Sequence, residues 1–513
     1  MYYRKITVTR CFAGKLTAAV AAVTLMAGAA FSDVRPETAE PMSGKTALQF
    51  FADNNLRAGW NLGNTMDARG GTAAARIAVE TAWGNPLATQ ELFNGVAQSG
   101  FDLVRIPITW IGHIGSAPDY TLNPVWLQRA AEIIDYAKNA GIKSVIINIH
   151  HDGNCTECNN ANPPNTTWGF LDLKGAVGDP AIKNAIQNQI GKVWTQIADY
   201  FKNYGDYLIF ETMNEVHSGN WGCASTATVC MQQQDILFDW NKAALDAIRA
   251  TGGNNAARFV AIPSLGDTEP EKVISAHGRN MLLPNDPGNG TGKLIVKVHS
   301  YKPKRFTVEG GERWLHTWDT PEQRAAIIGQ KELLKTVFID NGIAVYIGEW
   351  GAPTNARRNM DEEIKNTHIE YIRFMSSVFR DNSLLPIYWD DGGRFKLLER
   401  TDGPGRPQEG FWKETLLAMM GELNPNSVRD RTIGGSTARS LPTVTVKGRT
   451  LNISTPANSD LKVRMIDVKG KVRASFKVTG GSGSYSTGKM PAGRYFVEVK
   501  GAGVKSTSSI VLK

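Results

Sequence analysis

Eight short apolar segments, separated by longer stretches of a different pattern, constrain the fold of this chain most strongly. They are rich in Val, Ile and Leu and mostly do not alternate with polar residues, as expected for strands buried on both faces. The segments are Gly59–Leu62, Leu103–Ile108, Ser144–His150, Tyr207–Glu211, Phe259–Ser264, Leu294–His299, Ala344–Glu349 and Pro386–Trp389. They predict an α/β chain folded as a (β/α)8 TIM barrel.

Helical patterns lie between several of these segments. Residues 123–141 place apolar side chains at three- and four-residue spacing and end in Gly141, a residue type common just after a helix. Similar stretches cover about residues 181–204, 232–250, 321–341 and 361–380. A doubly wound open sheet is the alternative, but the first strand is not followed by a Gly-x-Gly-x-x-Gly turn, so a dinucleotide fold is not indicated.

The composition divides the chain into four regions. Residues 1–32 combine a basic start, an apolar segment and small-residue cleavage signals, which predicts a secretory signal peptide, with a retained anchor as the alternative. Residues 33–423 contain the barrel. Residues 424–442 are rich in Asn, Pro, Gly, Ser and Thr, as in a linker. Residues 443–513 alternate with period two between Gly-rich turns, which predicts a small antiparallel β-sandwich-like domain.

Charge and cysteine content limit the classes of partner and site. Residues 441–513 carry 13 Lys or Arg and three acidic residues, whereas residues 33–440 are mildly acidic, so nucleic-acid binding is not predicted. Four cysteines follow the signal segment, and an even number in an exported chain favours disulfides, with three pairings open. Half a zinc site or free thiols are the alternatives. The four are Cys155, Cys158, Cys223 and Cys230.

Polar or aromatic residues that suit one chemistry lie at or near the C-terminal ends of seven of the eight predicted strands. The C-terminal strand ends of a TIM barrel converge on one face, where active sites lie, so we expect these side chains to meet there. Each of them alone is more typical of a solvated loop or of a satisfied core group than of an active site, and only the joint pattern favours an active site. They are Asn61, Arg105, His150, His151, Asn214, Glu215, His299, Tyr301, Glu349, Trp389, Asp390 and Asp391.

Two carboxylates of this set, Glu215 and Glu349, suit acid–base and nucleophilic catalysis on an acetal. A retaining glycosidase holds its two carboxyl groups about 5 Å apart, whereas an inverting enzyme holds them about 6.5–9.5 Å apart. Neighbouring groups must then separate their pKa values. Arg105 is expected to keep one carboxylate ionised, and Asn214 to bind a sugar hydroxyl. His299 and Tyr301 are expected to orient the nucleophile and to polarise the proton donor.

A metal ion or other cofactor is not predicted. His150 and His151 are adjacent, so on a strand they would face opposite ways and would not easily share one ion. Asp390 and Asp391 are paired acids that suit a substrate contact or a solvated loop better than a cation.

Seven stretches, in order, resemble the strand motifs of glycoside hydrolase family 5: GWNLGNTMDA, LVRIPITW, VIINIHHDG, IFETMNEVH, VKVHSY, YIGEWG and IYWDDG. The resemblance covers about residues 47–421 and is to subfamily 4, the bacterial endoglucanases. It implies retaining hydrolysis of β-1,4-glucans, with Glu215 as the acid/base and Glu349 as the nucleophile. It implies supporting roles in catalysis for Arg105, His150, Asn214, His299 and Tyr301. Its implied substrate contacts are Asn61, His151 and Trp389.

Three positions depart from the family pattern and bear on subsite preference rather than on the reaction. Val216 stands where proline is usual, Ser300 where an aromatic residue often precedes the tyrosine, and Trp350 where many members have Phe.

We therefore expect a monomeric, secreted or surface-bound endo-β-1,4-glucanase that acts on cellulose and related β-glucans. The alternatives are a xyloglucanase, a mixed-linkage glucanase or a mannanase. The intact glutamate pair speaks against a non-catalytic carbohydrate-binding protein.

The chain's ending, MPAGRYFVEVKGAGVKSTSSIVLK, resembles the C-terminal sorting domains of the type IX secretion route. The resemblance implies that residues 443–513 contact the secretion machinery or the cell surface. A basic module that adheres to an acidic surface is the alternative. A cellulose-binding module is disfavoured, because no tryptophan lies beyond Trp412.

Overall fold

The structure, a computed structural model, describes most of the chain between residues 35 and 512. The predicted signal segment 1–32, the predicted linker 424–442 and the loop with Cys155 and Cys158 lie outside the described residues. The described ranges are 35–72, 75–153, 169–221, 223–308, 318, 320–354, 362–400, 403–405, 411–421, 443–454, 460–467, 471–480, 482–501 and 504–512.

Eight parallel strands close into the predicted barrel, with β2 (Arg69–Thr72) and β3 (Ala75–Ala78) as a hairpin after the first strand. The barrel strands are β1 (Gly59–Leu62), β4 (Leu103–Ile106), β5 (Ser144–Asn148), β6 (Leu208–Glu211), β7 (Val260–Ile262), β8 (Leu294–Ser300), β9 (Ala344–Trp350) and β10 (Leu385–Asp390). Each pairs with its neighbours in chain order, and β10 pairs with β1 to close the ring. The (β/α)8 prediction is confirmed.

Helices alternate with these strands and begin where capping residues favour a start. Asn123, Asp179 and Thr320 each cap a helix whose first residue is proline, which has no N–H to satisfy. The helices are α1 (Ala47–Asp53), α2 (Gln90–Gln98), α3 (Pro124–Asn139), α4 (Leu173–Gly178), α5 (Pro180–Tyr200), α6 (Thr228–Ala250), α7 (Pro270–Gly278), α8 (Lys304–Thr307), α9 (Pro321–Val337), α10 (Glu362–Asp381) and α11 (Phe411–Met420). Two short 3-10 turns lie at Gly253–Ala256 and Ile339–Asn341. Among the described residues, none of these helices has the length and apolarity that a membrane crossing requires.

Helix α1 closes one end of the barrel. Its Phe50 and Phe51 are buried in a cluster with inward-facing strand residues such as Ile146 and Ile295. The rings of Phe50 and Phe259 lie 5.1 Å apart. This plug occupies the N-terminal ends of the strands, so an incoming ligand must use the opposite, C-terminal face.

The C-terminal region forms two antiparallel sheets around one apolar core, as predicted for a sandwich-like domain. Its strands are β11 (Thr443–Lys447), β12 (Thr450–Ser454), β13 (Leu461–Asp467), β14 (Val472–Val478), β15 (Ser482–Ser486), β16 (Gly493–Gly501) and β17 (Val504–Leu512). The sheet orders are β11-β12-β15 and β14-β13-β16-β17. Ile466 of β13 is buried against Ala325 and Ile328 of α9 and Val378 of α10, so this domain covers part of the outer barrel wall.

Candidate active site

Glu215 and Glu349 come together at the C-terminal face of the barrel. Glu349 lies in β9, and Glu215 lies in the loop that follows β6. One oxygen of each carboxylate and a ring nitrogen of His299 all lie within 4.8 Å of one another. His299 Nδ1 is 2.5 Å from Glu215 Oε1 and 3.6 Å from Glu349 Oε2. The separation of the two carboxylates matches the roughly 5 Å of a retaining pair and is shorter than an inverting pair requires.

Arg105 is the buried group that fixes this arrangement. Its Nη1 donates to Glu349 Oε1 at 3.0 Å, and its Nη2 donates to Asn214 Oδ1 at 2.7 Å. The same guanidinium forms two further bonds with Glu211, of 2.7 and 2.8 Å. Because the guanidinium is planar and rigid, one side chain sets the positions of both Glu349 and Asn214.

An ionic network that sequence patterns did not reveal lies beneath the two candidate glutamates. Glu211 is fully buried and accepts hydrogen bonds from Asn148 Nδ2 at 2.8 Å and Tyr346 Oη at 2.6 Å. Its Oε1 is 3.0 Å from Lys297 Nζ. Burial alone would raise the pKa of Glu211, but Arg105 and Lys297 outweigh burial and hold the pKa at about 2. The sequence did contain one signal for this network, because Lys297 lies inside the apolar run LIVKVHS and a buried lysine needs an acidic partner.

The surroundings separate the pKa values of the two glutamates. Burial raises the pKa of Glu215 well above its usual range, and the charge of Glu349 raises it further. Burial also raises the pKa of Glu349, but the positive charges of Arg105 and Lys297 act against that rise. When the pair shares one proton, Glu215 therefore holds it and Glu349 is ionised.

Tyr301 and His299 complete the immediate surroundings of the pair. Tyr301 Oη donates a hydrogen bond to Glu349 Oε2 at 3.1 Å, and burial raises the tyrosine's pKa well above its usual range. Burial lowers the pKa of His299 well below its usual range, and Lys297 and Arg105 lower it further. Both groups are thus neutral when Glu349 is ionised.

Aromatic rings flank the pair over strands β10 and β5. The rings of Trp389 and His150 are parallel, with centroids 6.0 Å apart. A Cβ at Gly63 would lie 3.0 Å from the Trp389 ring, so glycine is required for this close approach. The half-exposed His151 ring lies 5.4 Å from the ring of Trp83, which is 41% exposed. Exposed aromatic faces of this kind stack on sugar rings.

Asn61 differs from the expectation that it contacts substrate. It is fully buried, and its Nδ2 donates to three backbone carbonyl groups, with the shortest bond, 2.9 Å, to Gly348. Its Oδ1 accepts from Arg105 Nη1 at 3.0 Å. Because no surface is left for a sugar, Asn61 acts by holding Arg105 in place.

The expectation that His150 and His151 face opposite ways is wrong. Strand β5 ends at Asn148, so the alternation of side chains stops before the two histidines. Their rings lie 4.3 Å apart, and a nitrogen of each lies within 4.8 Å of the other and of an oxygen of the buried Asp67. Burial raises the pKa of Asp67 to about 7 and lowers that of His151 to about 3, so all three groups favour their neutral forms.

Cys223, in the loop that follows β6, forms a disulfide with Cys230 in the first turn of α6, in agreement with the expectation of disulfides. A cavity of about 240 Å³ lies next to this loop and reaches Glu215. It is lined by Glu215, Trp221, Asp267, Glu269, His299, Tyr301, Lys304 and Val308.

The site has two carboxylates at this spacing on the C-terminal face of a barrel. This arrangement is typical of the glycoside hydrolases, as a class of enzymes. The family model described as "Cellulase (glycosyl hydrolase family 5)" matches residues 66–394. The chain belongs to this family and is an enzyme.

Known relatives support the assignment over most of the barrel. Endoglucanase B of Clostridium cellulovorans is 37% identical over 353 residues, which is 68% of this chain and 69% of that protein. The solved structure of a GH5-4 broad specificity endoglucanase from Bacteroides salanitronis has a TM-score of 0.63 at 35% identity and covers 74% of this chain and 96% of its own. A Bacteroides ovatus GH5 xyloglucanase in complex with an XXXG heptasaccharide has a TM-score of 0.63 at 27% identity, with 76% and 79% covered.

Proposed function

We propose that this protein is a retaining endo-β-1,4-glucanase that hydrolyses cellulose and related β-glucans by double displacement. The observation that carries the proposal is the approach of Glu215 and Glu349 to within 4.8 Å. The separation of their pKa values, which leaves the proton on Glu215, supports the assignment of roles. The substrate class is supported by the relatives from Clostridium cellulovorans and Bacteroides salanitronis, which are named as an endoglucanase and a broad specificity endoglucanase.

In the first step Glu349 attacks the anomeric carbon while Glu215 donates its proton to the glycosidic oxygen, and the bond to the leaving sugar breaks. In the second step Glu215 takes a proton from water, which attacks the same carbon and releases Glu349. Asn214 Oδ1 accepts from both Arg105 and Lys297, and Asn214 Nδ2 lies 3.3 Å from His150 Nε2. The second N–H of Nδ2 is the donor that we assign to a sugar hydroxyl. Trp389 supplies the ring beneath the sugar that is attacked.

The mechanism and the substrate class are tested by two measurements. Proton NMR of the first sugar released should show the β-anomer, and the α-anomer would exclude a retaining mechanism. A panel of carboxymethyl-cellulose, mixed-linkage glucan, xyloglucan and galactomannan, assayed for new reducing ends, should give turnover on the first two. A rapid fall in viscosity per new reducing end would indicate internal cleavage. Turnover on galactomannan alone would contradict the proposal, and a preference for xyloglucan would favour the activity named for the Bacteroides ovatus relative.

Lys297→Met is expected to move the pH profile of kcat/KM to higher pH. The profile falls on the acid side when Glu349 takes up a proton and on the alkaline side when Glu215 loses its own. The charge of Lys297 lowers the pKa of both carboxyl groups, so its removal raises both pKa values and moves both limbs of the profile to higher pH. Lys335→Met, at an exposed position on α9, is the control and should leave the profile in place. An unshifted profile in a folded Lys297→Met variant would contradict this electrostatic role.

We also propose that the protein is exported and attached to an acidic outer surface through residues 443–513. Lys477, Lys462 and Lys500 stand at one register position across three neighbouring strands of one sheet. Like charges directly opposite one another are destabilising in a sheet, so this row suits an anionic partner. The likeness of the chain's ending to type IX sorting domains supports the same location.

Deletion of residues 441–513 is expected to leave hydrolysis of soluble glucan within about twofold of the parent, because the barrel has its own core. The midpoint of thermal unfolding should fall, because removal of Ile466 exposes apolar surface on α9 and α10. In a bacterium with the type IX route, fractionation should show loss of the enzyme from the cell surface. A folded truncation without activity would contradict the division into domains.

A further inference from the structure

The end of strand β8 carries two residues of the candidate active site, His299 and Tyr301, with Ser300 between them. His299 contacts Glu215, and Tyr301 donates a hydrogen bond to Glu349. Because side chains alternate along a strand, the side chain between these two turns away from the barrel interior and toward the surrounding helices. Ser300 is only 2% exposed, so its departure from the family pattern does not change a surface that a sugar can reach.

Ser300 accepts a hydrogen bond from a buried lysine of the helix layer. Lys331 lies on α9, and its Nζ donates to Ser300 Oγ at 2.7 Å. Glu269 and Glu271 attract Lys331 through charge, but both carboxylates are paired with Lys302. Burial outweighs this attraction and lowers the pKa of Lys331 to about 7. A fully buried lysine is unfavourable for folding, so stability alone does not explain its presence at this position.

The pairing of β8 with β9 is irregular just before the last residue of β8. Val298 pairs with Ile347, whereas His299 pairs with Glu349, so Gly348 is an extra residue on β9. Such a bulge leaves the extra residue unpaired and disrupts the ladder of hydrogen bonds locally. A Cβ at Gly348 would lie 3.1 Å from His299 Nε2, so the β9 backbone runs directly against the imidazole. The ladder therefore holds the end of β8 less firmly, and the bond from α9 supplies a second attachment.

We infer that Lys331 and Ser300 are positioning residues, whose hydrogen bond ties the end of β8 to α9 and thereby holds His299 and Tyr301 against the two glutamates. This inference rests on the proposed glucanase function. Lys331 is fully buried and Ser300 nearly so, which keeps both away from substrate. They act through the two neighbouring side chains that contact the carboxylate pair.

The loop after β8 has attachments of its own. Thr307 Oγ1 donates to the backbone carbonyl of Tyr301, and Tyr371 Oη on α10 donates to that of Lys302 at 3.1 Å. Loss of the bond from Lys331 is therefore expected to loosen the strand end without releasing the loop. A small displacement is enough to slow the reaction, because proton transfer and nucleophilic attack depend steeply on the distances between the reacting groups.

The kinetics of cellopentaose hydrolysis test the inference. Lys331→Met is expected to lower kcat roughly tenfold and to leave KM within about twofold, because the pair positions catalytic groups rather than substrate. Ser300→Ala removes the same hydrogen bond from the other side and should give a similar loss. The double variant should lose no more than either single variant, since all three lack one and the same bond.

The pH profile of kcat/KM distinguishes positioning from a change in stability. Tyr301 donates to the ionised form of Glu349, so a displaced Tyr301 raises the pKa of Glu349 and moves the acid limb of the profile to higher pH. Ser300→Ala retains the amine of Lys331, so the same shift in this variant would not come from a lost charge. The midpoint of thermal unfolding should not fall in the double variant, because replacement of a buried polar pair by apolar side chains is often neutral or stabilising.

Lys335→Met, one turn further along α9, is the matched control. Lys335 is paired with Asp340 at the surface, and its replacement should leave kcat, KM and the profile unchanged. The inference would be overturned by parental kcat and an unshifted acid limb in Ser300→Ala, by losses that multiply in the double variant, or by a loss of activity that only follows a lower unfolding midpoint. A parent enzyme that does not cleave cellopentaose would instead refute the proposed function.

Discussion

Glu349→Gln is expected to lower kcat by roughly four to six orders of magnitude while substrate binding is retained, the scale of loss seen when a catalytic nucleophile is removed. The amide keeps the size of the side chain and its contacts with Arg105 and Tyr301, but it cannot form the glycosyl-enzyme. Turnover of carboxymethyl-cellulose should therefore be lost, whereas the affinity for cellotetraose, measured by calorimetry, should stay near that of the parent. Cleavage at the parent rate would exclude Glu349 as the nucleophile.

A second variant at this position tests the direction of attack. Glu349→Ala leaves space for azide, which should attack β-cellobiosyl fluoride from the side of the missing carboxylate and give the α-glycosyl azide. Glu91→Gln, at an exposed position on α2, is the control for loss of a carboxylate and should behave as the parent. A β-glycosyl azide from Glu349→Ala would assign the residue to proton transfer instead.

Glu215→Ala is expected to lower kcat/KM for cellopentaose by roughly 10²- to 10⁴-fold, the usual contribution of a general acid. A substrate with a dinitrophenyl leaving group needs no proton at the departing oxygen, so its first step should proceed almost normally and should be followed by slow release. A burst of dinitrophenol in the first turnover is the measurement. Azide should then give the β-glycosyl product and restore the rate.

The outcome for Glu215→Ala also checks the pKa assignment. Loss of the group that holds the proton should remove the alkaline limb of the pH profile for kcat/KM, because Glu215 is the carboxyl whose pKa burial and Glu349 raise most. The acid limb, which reports Glu349, should persist. An alkaline limb that survives in the variant would place that ionisation on another group.

The sequence predicted the barrel well because its strands are local signals. Ser144–Asn148 and Ala344–Trp350 are built around short apolar runs, and their predicted bounds differ from the observed ones by at most two residues. Differences concentrate at strand ends: the predicted strand runs to His150, whereas the observed strand stops at Asn148. Burial favours a strand but does not say at which residue the ladder of hydrogen bonds ends.

The site was only partly predictable. Glu215 and Glu349 were recognisable from their residue type at strand ends, yet Glu211 was regarded as an ordinary strand residue. In the barrel Glu211 is a buried partner of both Arg105 and Lys297. Asn61 was expected in the cleft and lies beneath it. Which side of a strand faces the barrel axis, and at what depth, depends on strand tilt and register, which no local pattern contains.

The sequence by itself determined the order of strands and helices, the carboxylate pair, the uneven distribution of charge and the family resemblance. Each of these features depends only on the types of residue within short stretches of the chain. Only the tertiary structure decided that Glu215 and Glu349 lie within 4.8 Å of each other, and that Arg105 and Lys297 oppose the rise in the pKa of Glu349. It also brought Lys272 of α7 within hydrogen-bond distance of the backbone carbonyl of Trp221. The physical reason is that distances and pKa values depend on neighbours far apart in the chain, which closure of the barrel brings together.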